Sequence, residues 1–263
     1  ATVSRALTKP DMVAAGTRSI VLDAVAAVGF VPNRSARQLV SGRTDALGVI
    51  VPDITNPYFA AIVQAIQGDA RGDDLAVLIA DTGADPAEER RALATLSRQV
   101  DGLIAVTPIT DLSAATRPVV QVNRQRRGVV SVVVDQEAIV VTAVDHLAAL
   151  GHTELAVVRG PAAYWSASRR NQAVERLSAS SSHRALQVTL LPPAPATFDG
   201  GRMAYADVAR SGATAVVAFN DLQVAGLLVA AHEAGHPAPG SLSAVGSDGL
   251  APATMTSPAP TPV

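Results

Sequence analysis

The sequence contains no cysteine, which excludes disulfide bonds, thiolate metal sites and a cysteine nucleophile. It also lacks a run of about 18 apolar residues, the length that a membrane-spanning helix needs. A charged segment followed by an apolar one, typical of an export signal, is missing from the N-terminus. These absences predict a protein of the cytosol that has no membrane partner.

Positive charge is concentrated in one part of the chain, although the formal net charge is −2. Residues 1–44 hold Lys9 and five arginines against Asp11 and Asp23, and the remainder of the chain is acidic. A basic segment ahead of an acidic body indicates nucleic-acid binding by that segment. An ordinary solvated surface is the alternative.

Apolar runs of strand length alternate with helical patterns after residue 45. The runs cover residues 46–51, 75–80, 102–107, 118–122, 131–135, 155–160, 186–191, 214–219 and 242–246. Strands without polar alternation are buried on both faces, as in parallel sheets covered by helices. The pattern therefore predicts an α/β fold with doubly wound parallel sheets.

We expect two lobes in this α/β region, because nine strands are many for one sheet. Gly151 predicts the end of a helix before a fresh strand, so we place the lobes at residues 45–150 and 151–263. Ligands of such sheets bind beyond the carboxyl ends of the strands. The predicted ligand site is the cleft between the lobes.

Residues 1–44 carry no strand pattern and predict a separate all-α module. Val3 and Leu7 are one helical turn apart, which predicts that both face a core. A second helix is predicted over residues 17–29, ended by Gly29, and a short basic helix over residues 34–42.

Several motifs together resemble the LacI/GalR family of bacterial transcription regulators. They are ATVSRAL, GFVPN, SGRT, LGVIVPDITNPYFAAIVQAI, VDGLI, DHLAALGH, AFNDLQVAG and AVGSDGLA, together with the spacing of Asn33, Ala36 and Leu39. The resemblance implies a helix-turn-helix and hinge helix in residues 1–44, then a two-lobed domain like the periplasmic binding proteins. Family members extend further at both ends, so we expect a partial helix-turn-helix and an incomplete second lobe.

The resemblance also implies contacts with operator DNA. Ala1, Thr2 and Arg5 correspond to base-reading positions with Thr8 nearby, and Ser4 and Thr17 to phosphate contacts. Asn33, Ala36 and Leu39 belong to the hinge helix, and Leu39 matches a leucine that enters the minor groove between base steps. A homodimer on a palindromic operator is the implied assembly.

The effector site is indicated by two signals. Aromatic residues are few, and six of them follow predicted strands, where rings can stack on the apolar face of a sugar: Tyr58, Phe59, Tyr164, Trp165, Phe198 and Phe219. The resemblance supports Phe198 and adds four polar residues, Asn123, Arg170, Asn220 and Asp248, whose donors and acceptors suit the vicinal hydroxyls of a sugar. Each polar residue taken singly could instead be a turn or cap residue, Asn220 and Asp248 above all.

One motif suggests an enzyme, and we reject it. HEAGH at residues 232–236 matches the pattern of zinc hydrolases, in which both histidines share one helix face. Gly235 and Pro237 predict that the helix ends first, so His236 should leave that face. Nucleotide-binding and serine-hydrolase motifs do not occur. The sequence predicts neither catalysis nor a metal or other cofactor.

The function implied is a ligand-responsive, DNA-binding regulator, more often a repressor than an activator, with a small effector that is a sugar. The alternative is a sugar-binding protein of a transport system, which shares the two-lobed body. The basic segment at residues 1–44 and the missing export signal favour the regulator.

Overall fold

The computed structural model describes residues 2–8, 10–30, 42–180, 185–249 and 261–262. The chain divides into two compact units, residues 1–44 and 45–263. The division falls after Thr44, where the sequence predicts the end of the basic segment. In the part of the chain that is described, no helix is long and apolar enough to cross a membrane.

The first unit, which we call the head, is helical throughout its described residues. It contains α1 (Thr2–Thr8), a 3-10 turn (Pro10–Met12) and α2 (Ala15–Ala27). Gly29 follows α2 with a φ of 60°, which confirms the predicted helix end. Ala6 is the buried residue of α1, whereas Val3 is 50% exposed. The prediction that Val3 faces a core is therefore wrong, because the buried side of α1 centres on Ala6.

The predicted hinge helix cannot be compared with the structure. Residues 31–41 lie outside the described residues, and Asn33, Ala36 and Leu39 are among them.

The second unit, which we call the body, alternates strands with helices. Its strands are β1 (Ala46–Val51), β2 (Ala76–Asp81), β3 (Gly102–Val106), β4 (Val119–Val122), β5 (Val130–Val132), β6 (Glu154–Arg159), β7 (Gln187–Pro193), β8 (Ala215–Val217), β9 (Ser243–Gly246) and β10 (Thr261–Pro262). Its helices are α3 (Pro57–Gly72), α4 (Pro86–Leu96), α5 (Gln136–Ala149), α6 (Trp165–Ala179), α7 (Phe198–Ser211) and α8 (Asp221–Glu233). All nine predicted strands are present, and β10 was not predicted.

The strands form two parallel sheets of five strands each. Their orders are β2-β1-β3-β4-β5 in the first lobe and β10-β9-β8-β6-β7 in the second. Strands β6 and β8 are buried along most of their length because helices cover both faces of the sheet. The predicted α/β class with two doubly wound parallel sheets is confirmed.

Most helices of the body begin directly after a strand or its loop with a residue that caps the helix. The side chains of Asn56, Asp85, Asp135 and Asn220 each accept a hydrogen bond from a backbone N–H of the first turn. Such caps satisfy N–H groups that have no partner inside the helix. Because these helices begin just after strands, their first turns lie at the carboxyl ends of the strands, on one side of each lobe.

The crossing between the lobes lies earlier than the sequence predicts. Helix α5 belongs to the second lobe, because its Val144 and Leu147 share a core cluster with Leu155 and Val157 of β6. The chain therefore leaves the first sheet after β5 and enters the second lobe at Gln136. Gly151 does end α5, with a φ of 92°, but the predicted boundary between residues 150 and 151 is wrong.

Helices α7 and α8 cross at an unusually short distance through glycines. A Cβ built on Gly226 would lie 1.8 Å from the carbonyl oxygen of Phe198, and one on Gly201 would lie 2.0 Å from that of Gln223. Both distances are far below van der Waals contact, so this crossing requires residues without a side chain.

Candidate functional site

A cleft of about 560 Å³ lies between the carboxyl ends of the two sheets, partly open to solvent. Both lobes contribute to it, as predicted for ligand sites of this architecture. The structure brings together six of the predicted effector residues here: Tyr58, Phe59, Asn123, Arg170, Asn220 and Asp248.

Two predicted residues, Trp165 and Phe198, do not line this cleft. Trp165 begins α6 and stacks against Arg169, whose Cζ is 5.2 Å from the ring centroid. Phe198 begins α7 and is 40% exposed. Of the six aromatic residues predicted at strand ends, Tyr58, Phe59, Tyr164 and Phe219 supply rings to the cleft, and the structure corrects the assignments of Trp165 and Phe198.

The first lobe supplies a neutral wall. Asn123 holds the left-handed conformation with a φ of 56°, and its Nδ2 donates a short hydrogen bond to the hydroxyl of Tyr58. The Tyr58 ring lies edge-on to Phe59, with 5.4 Å between ring centroids. Burial raises the pKa of Tyr58, so its hydroxyl stays neutral at physiological pH.

The second lobe supplies a half-buried cation, Arg170 of α6. Its Nε donates to Oε1 of Gln136 at 2.7 Å, and its Nη1 donates to the Phe219 carbonyl at 2.6 Å and to Oγ of Ser247 at 3.1 Å. The guanidinium also lies 4.6 Å from the centroid of the Phe219 ring. Within the described residues its Nη2 has no hydrogen-bond partner.

Burial lowers the pKa of Arg170 to about 10, against the opposing effects of Asp248 and Tyr58. A pKa of this value leaves Arg170 positively charged at neutral pH. Its free Nη2 can therefore donate charged hydrogen bonds, which are stronger than neutral ones.

A half-buried carboxylate, Asp248, lies in the same wall. Burial and the neighbouring Asp221 raise the pKa of Asp248 to about 6, and Arg170 opposes this rise. Its backbone N–H donates to Oδ1 of Asp221 at 3.1 Å, which fixes the loop after β9. Among the described residues Arg170 and Asp248 do not form an ion pair with each other. One wall of the cleft thus presents both a charged donor and an acceptor.

Asn220 supports the wall through its backbone position and its amide. Its Oδ1 caps α8 by accepting from the Gln223 N–H at 2.9 Å, and its Nδ2 donates to the Ala196 carbonyl at 2.9 Å. Both polar atoms are thus used inside the protein. The alternative interpretation of Asn220 as a cap residue is correct for this structure.

A family profile described as periplasmic binding proteins and the sugar binding domain of the LacI family matches residues 44–263. The chain belongs to this LacI family. The transcriptional regulator DegA of Bacillus subtilis (strain 168) is 26% identical over 275 residues, covering 98% of this chain and 80% of DegA. The relatives are transcription regulators and not enzymes, in agreement with the sequence analysis.

Solved structures support the same assignment. The lac repressor dimer, bound to operator and an anti-inducer, is 25% identical with a TM-score of 0.85, covering 99% of this chain and 82% of that one. A LacI family regulator from Enterococcus faecium with bound ribose is 27% identical with a TM-score of 0.69, covering 82% of each chain. The predicted family and its two-lobed fold are confirmed.

Sequence reasoning found Tyr164 and Phe219, because both are aromatic and follow strands, and it missed the polar residues Gln136 and Ser247 of the cleft. The Phe219 ring also packs on Gly160, where a Cβ would lie 2.5 Å from it. Gln136 carried no signal, because the lobe boundary was placed after α5.

Of the positions that the LacI-family resemblance assigns to DNA, some lie among the described residues and the others lie outside them. Thr2, Ser4 and Arg5 are exposed on α1, and Thr17 is exposed on α2. Thr8 is the last residue of α1. Ala1 lies outside the described residues, like the three hinge positions. These DNA contacts stay predictions.

The HEAGH segment has the geometry that the sequence predicts. Helix α8 ends at Glu233, Gly235 follows with a φ of 80°, and the His236 ring lies 2.5 Å from the hydroxyl of Tyr205. Glu233 pairs with Arg202 at 2.7 Å. His232 and His236 therefore do not share a helix face. Among the described residues no three metal-ligating side chains cluster.

Proposed function

We propose that this protein is a transcriptional repressor that binds a palindromic operator as a homodimer and responds to a sugar in the cleft. The observation that carries the ligand assignment is the pair formed by Arg170 and Asp248. Both are half-buried in one wall of the cleft, and they do not form an ion pair with each other. A ligand that satisfies both would gain two charge-assisted hydrogen bonds.

A sugar suits this pair because adjacent hydroxyl groups can accept a hydrogen bond from Arg170 and donate one to Asp248. The rings of Tyr164 and Phe219 can pack against its C–H face. An anionic ligand would meet the carboxylate of Asp248, and an apolar one would leave both charges without partners. The ribose named for the Enterococcus faecium regulator supports the same ligand class.

The head supports the DNA-binding half of the proposal. Arg5 is exposed on α1 of a basic segment, where the family resemblance assigns base reading. The similarity to the lac repressor dimer bound to operator extends over 99% of this chain. It supports both an operator and a dimer as partners.

The two halves can be tested on one protein. Calorimetric titration with D-ribose, D-galactose and cellobiose measures the sugar site, and the same sugars are added to a complex with an operator selected from random DNA. We expect one sugar per chain, release of the operator on binding, and operator affinity that falls steeply with salt.

Matched arginine variants separate the two sites. Arg5→Ala should weaken operator binding and leave sugar affinity unchanged. Arg91→Ala removes the same charge from an exposed site on α4 and should change neither. Operator binding that survives Arg5→Ala would contradict the DNA assignment.

The second candidate is a binding protein of a transport system, which the family description also covers. It predicts sugar binding without sequence-specific DNA binding. Failure to select any operator at low salt, with sugar binding intact, would favour this candidate over the repressor.

A further inference from the structure

A glutamine that does not line the cleft ties together the loops that do. Gln223 lies in the first turn of α8 and is 0% exposed. Its Oε1 accepts from the backbone N–H of Phe219 at 3.0 Å. Its Nε2 donates to the carbonyl oxygens of Ala194 at 3.2 Å and of Pro195 at 2.9 Å.

These bonds join two separate loops of the second lobe. One follows β7 and carries Ala194 to Ala196, and the other follows β8 and carries Phe219 and Asn220. Both loops reach the cleft, because Ala196 and Phe219 line it. Gln223 therefore fixes the distance between two segments that are far apart in the sequence.

The connection continues from Phe219 to Arg170. The N–H of Phe219 is held by Gln223, while its carbonyl accepts from Nη1 of Arg170 and from Oγ of Ser247 at 2.8 Å. The Phe219 ring also stacks against the Arg170 guanidinium. Any displacement of Phe219 would thus move two of the groups that orient Arg170.

We propose that Gln223 is a positioning residue that sets the direction of the Arg170 guanidinium through Phe219, and thereby the effector affinity of the cleft. The inference rests on the proposed function only in taking the cleft as the sugar site. Gln223 itself does not touch the ligand.

Glutamine is the side chain that this position requires. The three bonds use the oxygen as an acceptor and the nitrogen as a double donor, so both polar atoms of the amide have partners. Methionine has a similar length and fills the space, but it would leave one N–H and two carbonyl groups without partners. Glutamate keeps the shape and lacks the two donors.

The test uses Gln223→Met and Gln223→Glu, with Leu147→Ala as the control. Leu147 is a core residue of α5 at 1% exposure, so its truncation lowers stability without touching the two loops. In ligand-free protein, NMR follows the signals of the Phe219 amide and of the Arg170 Nε–H. The Nε–H signal is assigned by its absence from the spectrum of Arg170→Lys. Calorimetry with D-ribose, D-galactose and cellobiose follows affinity.

For Gln223→Met we expect a shifted Phe219 amide, an Arg170 Nε–H that exchanges with solvent at least about tenfold faster, and about tenfold weaker sugar binding. For Gln223→Glu, protonation of the introduced carboxyl at low pH restores one donor, so the two signals should move back toward those of the wild type. Leu147→Ala should lower the melting temperature and leave both signals unchanged.

Unchanged Phe219 and Arg170 signals in both Gln223 variants, or the same changes in Leu147→Ala, would overturn the proposal. The NMR result does not need a ligand. If no sugar binds the wild-type chain, the proposed function fails, and the two NMR signals still decide whether Gln223 positions Arg170.

Discussion

The two lobes face the same cleft with different chemistry. The first lobe presents Tyr58 and Asn123, which are neutral and bonded to each other. The second presents Arg170 and Asp248, which are ionisable, half-buried and not paired with each other. From this difference we expect the second lobe to provide the strong polar contacts to a ligand and the first lobe to cover the ligand with weaker ones.

The largest effect should come from removing the cation. Arg170→Ala should weaken sugar binding about 100-fold, because the proposed charged donor to the ligand is lost and the charge of Asp248 is left without its neighbouring cation. Arg170→Lys should not restore binding, since an ammonium group cannot reproduce the planar arrangement of donors. Calorimetry with the sugars named above measures both.

The neighbouring Arg169 provides the control. It stacks on Trp165 outside the cleft, so Arg169→Ala removes the same charge from the same helix. We expect its sugar affinity to equal that of the wild type. Equal losses in the two alanine variants would mean that charge near the cleft matters and the position of Arg170 does not.

A smaller effect is expected at the carboxylate, and it depends on pH. Because burial and Asp221 raise the pKa of Asp248 to about 6, the folded state holds this proton more tightly than the unfolded chain. Stability should therefore fall as pH rises through about 4 to 6. Asp248→Asn should stabilise the protein by roughly 2 kcal/mol at about pH 7.5 and by little at about pH 4.5.

Sugar affinity should show the opposite trend with pH in the wild type. The ionised carboxylate is the better acceptor, so affinity should decrease as pH falls through about 6. Asp248→Asn should bind about tenfold more weakly at neutral pH and lose this pH dependence. A wild-type affinity that is flat between about pH 5 and 7.5 would argue against contact between Asp248 and the ligand.

The neutral wall should respond less. Tyr58→Phe removes the hydroxyl that accepts from Asn123 and leaves the ring in place. We expect a loss of about threefold to tenfold in affinity, since an uncharged hydrogen bond contributes about 1 kcal/mol. A loss as large as that of Arg170→Ala would remove the contrast between the lobes.

The smallest effects are expected for the two aromatic residues that the structure leaves out of the cleft. Trp165→Phe and Phe198→Ala should change sugar affinity by less than about twofold, whereas Tyr164→Ala should reduce it several-fold. Titration of the three variants with one sugar is sufficient. A large loss in Trp165→Phe would restore the original sequence prediction.

The sequence predicts the strands of the body well because parallel strands buried on both faces are continuous apolar runs. It misplaces the lobe boundary because Gly151 ends a helix whether or not a lobe ends there; only the packing of Val144 and Leu147 on β6 assigns α5 to the second lobe.

In the cleft, Arg170 and Asp248 are recognisable from motifs. The choice between Tyr164 and Trp165 is not, because adjacent residues at a helix start point in different directions. Gln136 and Ser247 reach Arg170 only through the folded structure.

The crossing of α7 and α8 limits the substitutions that Gly201 and Gly226 tolerate. A methyl group at either position would push the helices apart, and the first residues of α8 would move with them. Those residues carry the bonds to both cleft loops. Random mutagenesis should therefore find substitutions at these two glycines among variants that no longer respond to the effector, although neither glycine lines the cleft.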